Sequence, residues 1–184
     1  KLTFEGFDSF GNPTQLLKSD GKRFSYLWSS NGRYLHAAIE NAQNSTCYHN
    51  SFESTGTLAI NEPAKTGERY YNADFHLNLS GILANSTLSY WYWDNAKWNY
   101  RSVPYNGGAI VLSEGSRIDE VRVTPPGAIM QTFAYNNRGE VISITDGNGN
   151  PTYFSYDGFG RLTHAKDLNF NLLKTYQYRY LNEN

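Results

Sequence analysis

Few residues of this chain are equipped for chemistry. One cysteine, Cys47, stands among four histidines, His36, His49, His76 and His164, so a thiol–imidazole dyad is the one nucleophilic arrangement open to it. The competing reading is a buried structural thiol beside solvent-facing imidazoles. A lone Cys forms no internal disulfide and supplies no Cys–His zinc cluster. Four carboxylates, Glu53, Asp74, Asp119 and Glu120, are candidates for the acid–base pair of a glycoside hydrolase. Neighbours on a strand face opposite ways, so Asp119 and Glu120 are not expected to form that pair together. Asp146-Gly147-Asn148-Gly149-Asn150 has the opening of an EF-hand loop, but Pro151 occupies the sixth position and Asp157 the twelfth, where Gly and a bidentate Glu are required. No Ser-His-Asp order, phosphate-binding Gly-rich loop or zinc spacing is visible. The chain is expected not to be an enzyme.

The aromatic block Tyr90-Trp91-Tyr92-Trp93, followed by Trp98 and Tyr100, offers another chemistry, stacking on the C–H faces of sugar rings. Strand alternation puts Leu88, Tyr90 and Tyr92 on one face and Ser89, Trp91 and Trp93 on the other. A sandwich strand buries one face, so at least half of these rings are expected in a core. Trp98 is expected to pack across the hairpin closed by Asp94-Asn95. Trp93, Trp98 and Tyr100, nearest the loop, are the candidate sugar platform.

The elements that must position these groups are strands. The 184 residues correspond to one large domain or two small ones. With 16 Lys plus Arg against 17 Asp plus Glu the net charge is -1, which leaves no basic footprint for nucleic acid or an anionic membrane. Mean hydropathy of -0.62 and the lack of a long apolar run exclude a membrane-spanning helix. Aromatic residues at 16% exclude intrinsic disorder. Twenty Asn and 15 Tyr, with charged residues at only 18%, point to an all-β, turn-rich chain.

Internal repeats organise both ends. Tyr135-Asn136-Asn137-Arg138-Gly139 opens one unit and Tyr156-Asp157-Gly158-Phe159-Gly160-Arg161-Leu162-Thr163 opens a second, 21 residues later. In each, Gly follows the Tyr at +4 (Gly139, Gly160) and Asp at +11 (Asp146, Asp167). Asp-x-x-Gly suits a tight turn in which Asp caps backbone N–H groups and Gly accepts φ > 0. Each unit therefore encodes a hairpin. One hairpin is marginal alone, so the units must join a continuous sheet. Tyr176-Gln177-Tyr178-Arg179-Tyr180 is expected as a further alternating strand. Phe7-Asp8-Ser9-Phe10-Gly11-Asn12, with Phe24, Tyr26 and Trp28 after it, supplies a third copy as an N-terminal strand pair.

Tyr156-Asp157-x-x-Gly160-Arg161-Leu162 resembles the core motif of the YD-repeat, or Rhs-repeat, family. The Phe7 to Asn12 copy, with Tyr26-Leu27-Trp28 running on to Ala38-Ile39-Glu40-Asn41-Ala42, resembles its divergent variants. Two departures stand out: Asn136 replaces the motif Asp, and Phe170 replaces a turn Gly. The resemblance implies strands winding into a hollow shell around a C-terminal toxin, or a related adhesion protein, secreted or on the bacterial cell surface. The partners implied are the rest of the parent chain, toxin cargo and secretion machinery, with neither nucleic acid nor a membrane span. A start at Lys1 and an end in mid-pattern at Asn184 are read as a piece of a longer protein, its targeting signal lying outside.

Between Asn44 and Thr124 the 21-residue beat gives way to shorter strands. These are expected over Cys47–Phe52, Gly56–Ile60, Glu68–Leu79, Thr87–Trp93, Lys97–Val103, Ala109–Leu112 and Arg117–Val123. Asn61-Glu62-Pro63, Asp94-Asn95, Asn106-Gly107-Gly108 and Glu114-Gly115 separate them, in the habit of an antiparallel sandwich. Ser51-Phe52-Glu53, Ala64-Lys65-Thr66-Gly67 and Ile118-Asp119-Glu120-Val121-Arg122-Val123 resemble the galactose-binding-like jelly rolls of carbohydrate-binding modules. That resemblance implies a structural calcium shared by Glu53 and Asp119, with glycan as partner. The alternative roles are a turn cap and a solvated strand end. Thr124-Pro125-Pro126-Gly127 is a rigid joint back to the repeats.

The expected architecture is all-β: repeat strands over 1–43, a jelly-roll β-sandwich over 44–127 and two repeats over 128–184. The expected role is a non-catalytic structural and binding segment of a large bacterial YD-repeat protein, part of a toxin-encapsulating shell or adhesin. The alternative is a carbohydrate-binding module that targets an enzyme or adhesin to glycan.

Overall fold

The computed structural model describes residues 1–60 and 63–179. It is all-β and antiparallel, with a single short 3-10 turn at Asn44–Thr46 among the described residues. Four strands open the chain: β1 (Leu2–Phe7), β2 (Pro13–Lys18), β3 (Arg23–Trp28) and β4 (Leu35–Glu40). The middle contributes β5 (Tyr48–Asn50), β6 (Thr57–Leu58), β7 (Arg69–Tyr70), β8 (Phe75–Leu79), β9 (Ser86–Asp94), β10 (Lys97–Tyr105), β11 (Gly108–Leu112) and β12 (Arg117–Thr124). Five more follow: β13 (Ile129–Tyr135), β14 (Val141–Thr145), β15 (Pro151–Tyr156), β16 (Leu162–Lys166) and β17 (Leu172–Thr175).

The first four and last five strands build one nine-stranded sheet, ordered β1-β2-β3-β4-β13-β14-β15-β16-β17. Its continuity rests on β4 and β13, far apart in sequence but paired from Ile129 against Glu40 to Thr132 against Ala37. The N-terminal part thus gives four strands, not the strand pair expected. Two turns account for the difference: that at Asp20-Gly21 lacks the aromatic at the motif start, and that at Ser29 to Gly32 follows Trp28 but has Ser in place of the motif Asp.

The tight turns close as their residue types require. Asp157 Oδ1 accepts the N–H groups of Phe159 and Arg161 at 2.9 and 3.0 Å, and Gly160 N–H reaches the Asp157 carbonyl at 3.0 Å. Asn136 caps its turn in the same way, accepting from Arg138 and Glu140, while its amide donates to Glu140 Oε2 at 2.6 Å. Phe170 adopts the Gly conformation with φ of 64° and stacks on Tyr153, ring centroids 4.6 Å apart. Stacking offsets part of the strain that a left-handed aromatic residue carries.

The middle strands form a four-stranded sheet, β10-β9-β12-β5, and two small pairs, β11-β8 and β6-β7. Leu77 and Leu112 from β8 and β11 pack against Leu88 and Tyr90 of β9 and Ile118, Val121 and Val123 of β12, forming a two-layer core. Glu68–Leu79 is not one strand: it splits into β7, a lone bridge from Tyr71 to Ile118, and β8, interrupted at Asn72-Ala73-Asp74, poor strand formers. Gly56–Ile60 shortens to β6. At the C-terminal end β17 precedes the Tyr176 to Tyr180 run, whose first four residues lie outside any strand; Tyr176 N–H still bonds the Thr163 carbonyl at 2.8 Å. Tyr180, like Asn61 and Glu62 of an expected turn, lies outside the described residues. At the Pro-Pro-Gly joint, Ala128 N–H bonds the Pro125 carbonyl at 3.1 Å and Gly127 takes φ of 76°, the Pro–Gly order of a type II turn.

The β14–β15 turn reaches the middle segment. A Cβ on Gly149, whose φ is 87°, would lie 2.5 Å from the Tyr100 ring, whereas a Cβ on Gly158 would meet nothing within 4 Å. Gly149→Ala is therefore expected to destabilise the chain by about 2 kcal/mol, from left-handed strain plus displacement of Tyr100. Gly158→Ala is expected to cost under about 0.5 kcal/mol. Urea unfolding of the two variants checks this; equal costs would contradict it.

Candidate functional site

The functional groups converge where the middle segment lies on the nine-stranded sheet. A β-bulge in β12 prepares this seam. Asp119 pairs with Trp91, yet Arg122 pairs with Ser89, and Glu120 between them takes φ of 55°. The bulge breaks the two-residue alternation that would send Asp119 and Glu120 to opposite faces. Both are buried, 0% and 2% exposed, and Thr66 serves both. Its hydroxyl lies 3.0 Å from Glu120 Oε2 and 3.4 Å from Asp119 Oδ1. The expectation of opposite faces is corrected by this geometry.

Glu120 anchors a network of ion pairs and hydrogen bonds. Arg122 donates to its Oε1 from Nε at 2.9 Å and Nη2 at 2.7 Å, and from Nη1 to the Asp146 carbonyl at 2.7 Å. Thr132 of β13 accepts from Arg122 Nη2 at 2.7 Å and donates its hydroxyl to Glu120 Oε1. His49 Nε2 stands 3.3 Å from Glu120 Oε2. Burial alone would raise the Glu120 pKa; the charges of His49 and Arg122 and these hydrogen bonds overcome it and hold the carboxyl below the usual range. Asp119 goes the other way. Burial, then the charge of Glu120, push it well up, and Glu53 adds to the push. Trp91 Nε1–H donates to the Gly149 carbonyl at 3.1 Å, Tyr153 O–H to the Lys65 carbonyl at 2.8 Å, and Gly67 N–H to Ser143 Oγ at 3.3 Å. Lys65 Nζ sits 3.9 Å over the Trp91 ring, and burial lowers its pKa to about 8 against the pull of Asp119.

Beside this network opens a cavity of about 530 Å3, lined by Tyr34 and His36, by His49 and Glu53, and by Arg69 and Tyr135. Burial, aided by the neighbouring His49, lowers His36 to about 4. Its ring meets that of His49 edge-on, centroids 6.3 Å apart. Tyr34 and Tyr135 lie ring to ring at 4.8 Å.

The residues expected to bind are placed as follows. Glu53 Oε2 and Oε1 accept the backbone N–H groups of Glu68 and Arg69, each at 3.0 Å. Asp119 Oδ2 and Oδ1 accept those of Thr66 and Glu120 at 2.9 and 2.7 Å. The two acids are electrostatic neighbours, but every oxygen already accepts a hydrogen bond and the Lys65 ammonium acts on Asp119. Among the described residues no three His, Cys, Asp or Glu side chains are grouped to hold a metal ion. As arranged, this pair does not supply the six to eight oxygens that calcium takes. Trp93 and Trp98 meet edge to face, centroids 5.5 Å apart and planes at 72°, not as a flat platform. Trp98 Nε1–H bonds the Pro63 carbonyl at 3.1 Å, and Arg117 covers the Trp93 and Tyr70 rings. Tyr100 packs on Trp91, centroids 5.1 Å apart. Both faces of β9 are filled, because the repeat sheet covers the Trp91 face.

Of the repeat residues, Tyr135 O–H donates to the Leu35 carbonyl at 3.0 Å and Tyr156 O–H to the Val141 carbonyl at 2.7 Å, each tying its strand to a neighbour. Arg161 Nε and Nη2 each lie 2.8 Å from Asp157 Oδ2. Gly139 and Gly160 end their turns, Leu162 starts β16, and Asp146 Oδ1 caps Asn148 and Asn150. Burial raises Cys47 to about 11, which suppresses the thiolate, and the Thr46 hydroxyl lies 3.9 Å from its Sγ. Sequence reasoning missed Thr66, Arg122, Thr132 and the role of His49. The available signal was three charged residues, Asp119, Glu120 and Arg122, set among the apolar Ile118, Val121 and Val123 of one strand.

Residues 135–169, from the end of β13 past β16, match the family model described as RHS Repeat. No curated protein matches the chain. Two similar solved structures are the crystal structures of TcdB2-TccC3-Cdc42, at 15% identity and a TM-score of 0.23, and of TcdB2-TccC3 without its hypervariable C-terminal region, at 13% and 0.21. The alignments cover 93% and 95% of this chain but 10% and 9% of those chains, so it spans about a tenth of their length. Among the described residues no helix is long and apolar enough to cross a membrane.

Removing one partner of the buried pair is expected to be severe. Arg122→Met leaves Glu120 facing His49 without its guanidinium partner and is expected to destabilise the chain by about 3–5 kcal/mol. Arg122→Met combined with Glu120→Leu is expected to cost less than the single change, because no charge is then stranded. Denaturant titration of both decides it, and additive losses would contradict the pairing.

Glu53 gives a pH signature. Burial, first, and the Glu68 charge lift its pKa from 4.5 to about 7, against the hydrogen bonds from Glu68 and Arg69. The native state keeps this proton after the unfolded chain has lost it. The stability it contributes is therefore full below the unfolded pKa and is lost as pH rises to about 7. His36 acts oppositely, losing stability as pH falls from 6.5 toward about 4, but it is common to both proteins compared. The melting temperature of Glu53→Gln minus that of the wild type is expected to climb between about pH 5 and pH 7.5. A constant difference would show that Glu53 does not titrate there.

Proposed function

We propose that the chain is a structural, non-catalytic segment of a larger bacterial RHS-repeat protein, secreted or displayed at the cell surface. The repeat hairpins are lengths of wall, and residues 44–127 form a sandwich domain inserted between two adjacent wall strands, β4 and β13. The observation that carries this reading is the nine-stranded sheet itself, whose two edges are open among the described residues. Along β1, Leu2, Phe4 and Phe7 are exposed, and along β17, Leu172 and Leu173 are exposed. An open edge carrying apolar side chains is an aggregation hazard unless further strands cover it. More hairpins of the same parent chain fit that requirement. A wall of this kind would enclose cargo such as a downstream toxin. The charged groups at the seam are buried and mutually paired, which suits fastening better than turnover.

Hydrogen–deuterium exchange tests the reading. In the parent protein the amides of β1 and β17 are expected to be protected as strongly as those of β3 and β15; in the 184-residue chain alone they exchange faster. Equal, fast exchange at both edges in the parent protein would overturn it.

A further inference from the structure

The cavity beside the seam network contains a polar atom that the fold leaves unmatched. The His49 side chain is 1% exposed, and its Nδ1 is buried without a hydrogen-bond partner. Its other nitrogen, Nε2, faces a carboxylate that Arg122 and Thr132 keep ionised and fixed. An ionised carboxylate only accepts, so Nε2 carries a hydrogen, which leaves Nδ1 as the unmatched atom of the ring. Buried polar atoms are rarely left without a partner, so Nδ1 calls for a group from outside the chain, and an O–H, at once donor and acceptor, suits it.

The remaining walls narrow the class of that group. His36, lowered to about 4, is neutral at physiological pH and offers one donor and one acceptor. Glu53 and Glu68 on the rim disfavour an anion, and Arg69 beside them disfavours a cation. The Tyr34 ring offers an apolar face, held in place by Tyr135, whose hydroxyl is tied to the Leu35 carbonyl. A volume of about 530 Å3 lies within the range of small-molecule pockets. We propose that this cavity is a binding site for an uncharged polyhydroxyl ligand, one or two pyranose units of a glycan. A ligand hydroxyl hydrogen-bonds His49 Nδ1, and the C–H face of the ring lies on Tyr34. The site is distinct from the Trp93–Trp98 corner, where the rings are perpendicular and the Trp98 N–H is already bonded. It is independent of the wall reading, since a wall segment need not bind sugar.

Long-range 1H–15N spectra of the imidazoles in the full chain test this directly. The probes are D-glucose, D-galactose, D-mannose and N-acetyl-D-glucosamine, with putrescine and inorganic phosphate as charged comparisons. At least one sugar is expected to shift the His49 and His36 ring nitrogens saturably, with a Kd of about 1 mM or tighter. Tyr34→Ala is expected to weaken that binding roughly tenfold or more with the melting temperature retained, and Trp98→Ala to leave it unchanged. If Tyr34→Ala does not fold, contacts between sugar C–H protons and the Tyr34 ring, read by NOE in the wild type, take its place. The proposal is overturned if no sugar moves either imidazole, or if putrescine or phosphate does so instead. It is equally overturned if binding survives Tyr34→Ala and is lost in Trp98→Ala, or if the NOE contacts fall on Trp98.

Discussion

A carboxylate and a guanidinium buried side by side set the terms for the rest of this molecule. Glu120 and Arg122 are both almost fully excluded from water, and such a pair is tolerable only when its remaining donors and acceptors are met. They are met from both sides of the seam: His49 and Thr66 from the middle segment, Thr132 and the Asp146 carbonyl from the repeat sheet. The middle segment therefore cannot shift on the sheet without stranding a charge. Apolar packing alone would tolerate sliding; this network selects one position.

That position also explains features that look unrelated. The bulge at Glu120 is needed to turn two successive acids into the same buried layer, and their pKa values separate because one has counter-charges and the other has neighbouring acids. Trp91 is buried under Lys65 and beside Tyr100, and the β14–β15 turn offers the Gly149 carbonyl to its indole N–H. The same turn forbids a side chain at Gly149. One hairpin of the nine-stranded sheet thus serves as a strand connection and as a docking surface.

Much of the fold was legible in the residues. Asp-x-x-Gly located the C-terminal turns, and the departures from the motif turned out to preserve its geometry: Asn136 caps as Asp157 does, and Phe170 takes the left-handed conformation. The turns at Asp20 and Ser29 were not read: no aromatic precedes the first, and in the second Ser29 stands where the motif has Asp. The long strand expected over Glu68–Leu79 broke at Asn72-Ala73-Asp74, where turn preference outweighed the apolar residues on either side. For the site, the aromatic block drew attention to Trp93, Trp98 and Tyr100. The cavity formed instead from Tyr34, His36, His49 and Tyr135, which are distant in sequence and share no motif.

By itself, the sequence determined local geometry: strands, turn types and the spacing of hairpins, all set by interactions within a few residues. It also determined that the polar groups of β12 would need partners, since charges within an apolar strand cannot be left bare. Which partners they found was decided by the tertiary structure alone. The pairing of β4 with β13 brings residues 89 to 95 positions apart into register, and the bulge in β12 reverses the face that alternation assigns to Glu120. The orphaned nitrogen of His49 arises from both. Its burial and its missing partner are properties of a seam between two layers, and strand periodicity carries no information about where two layers will meet.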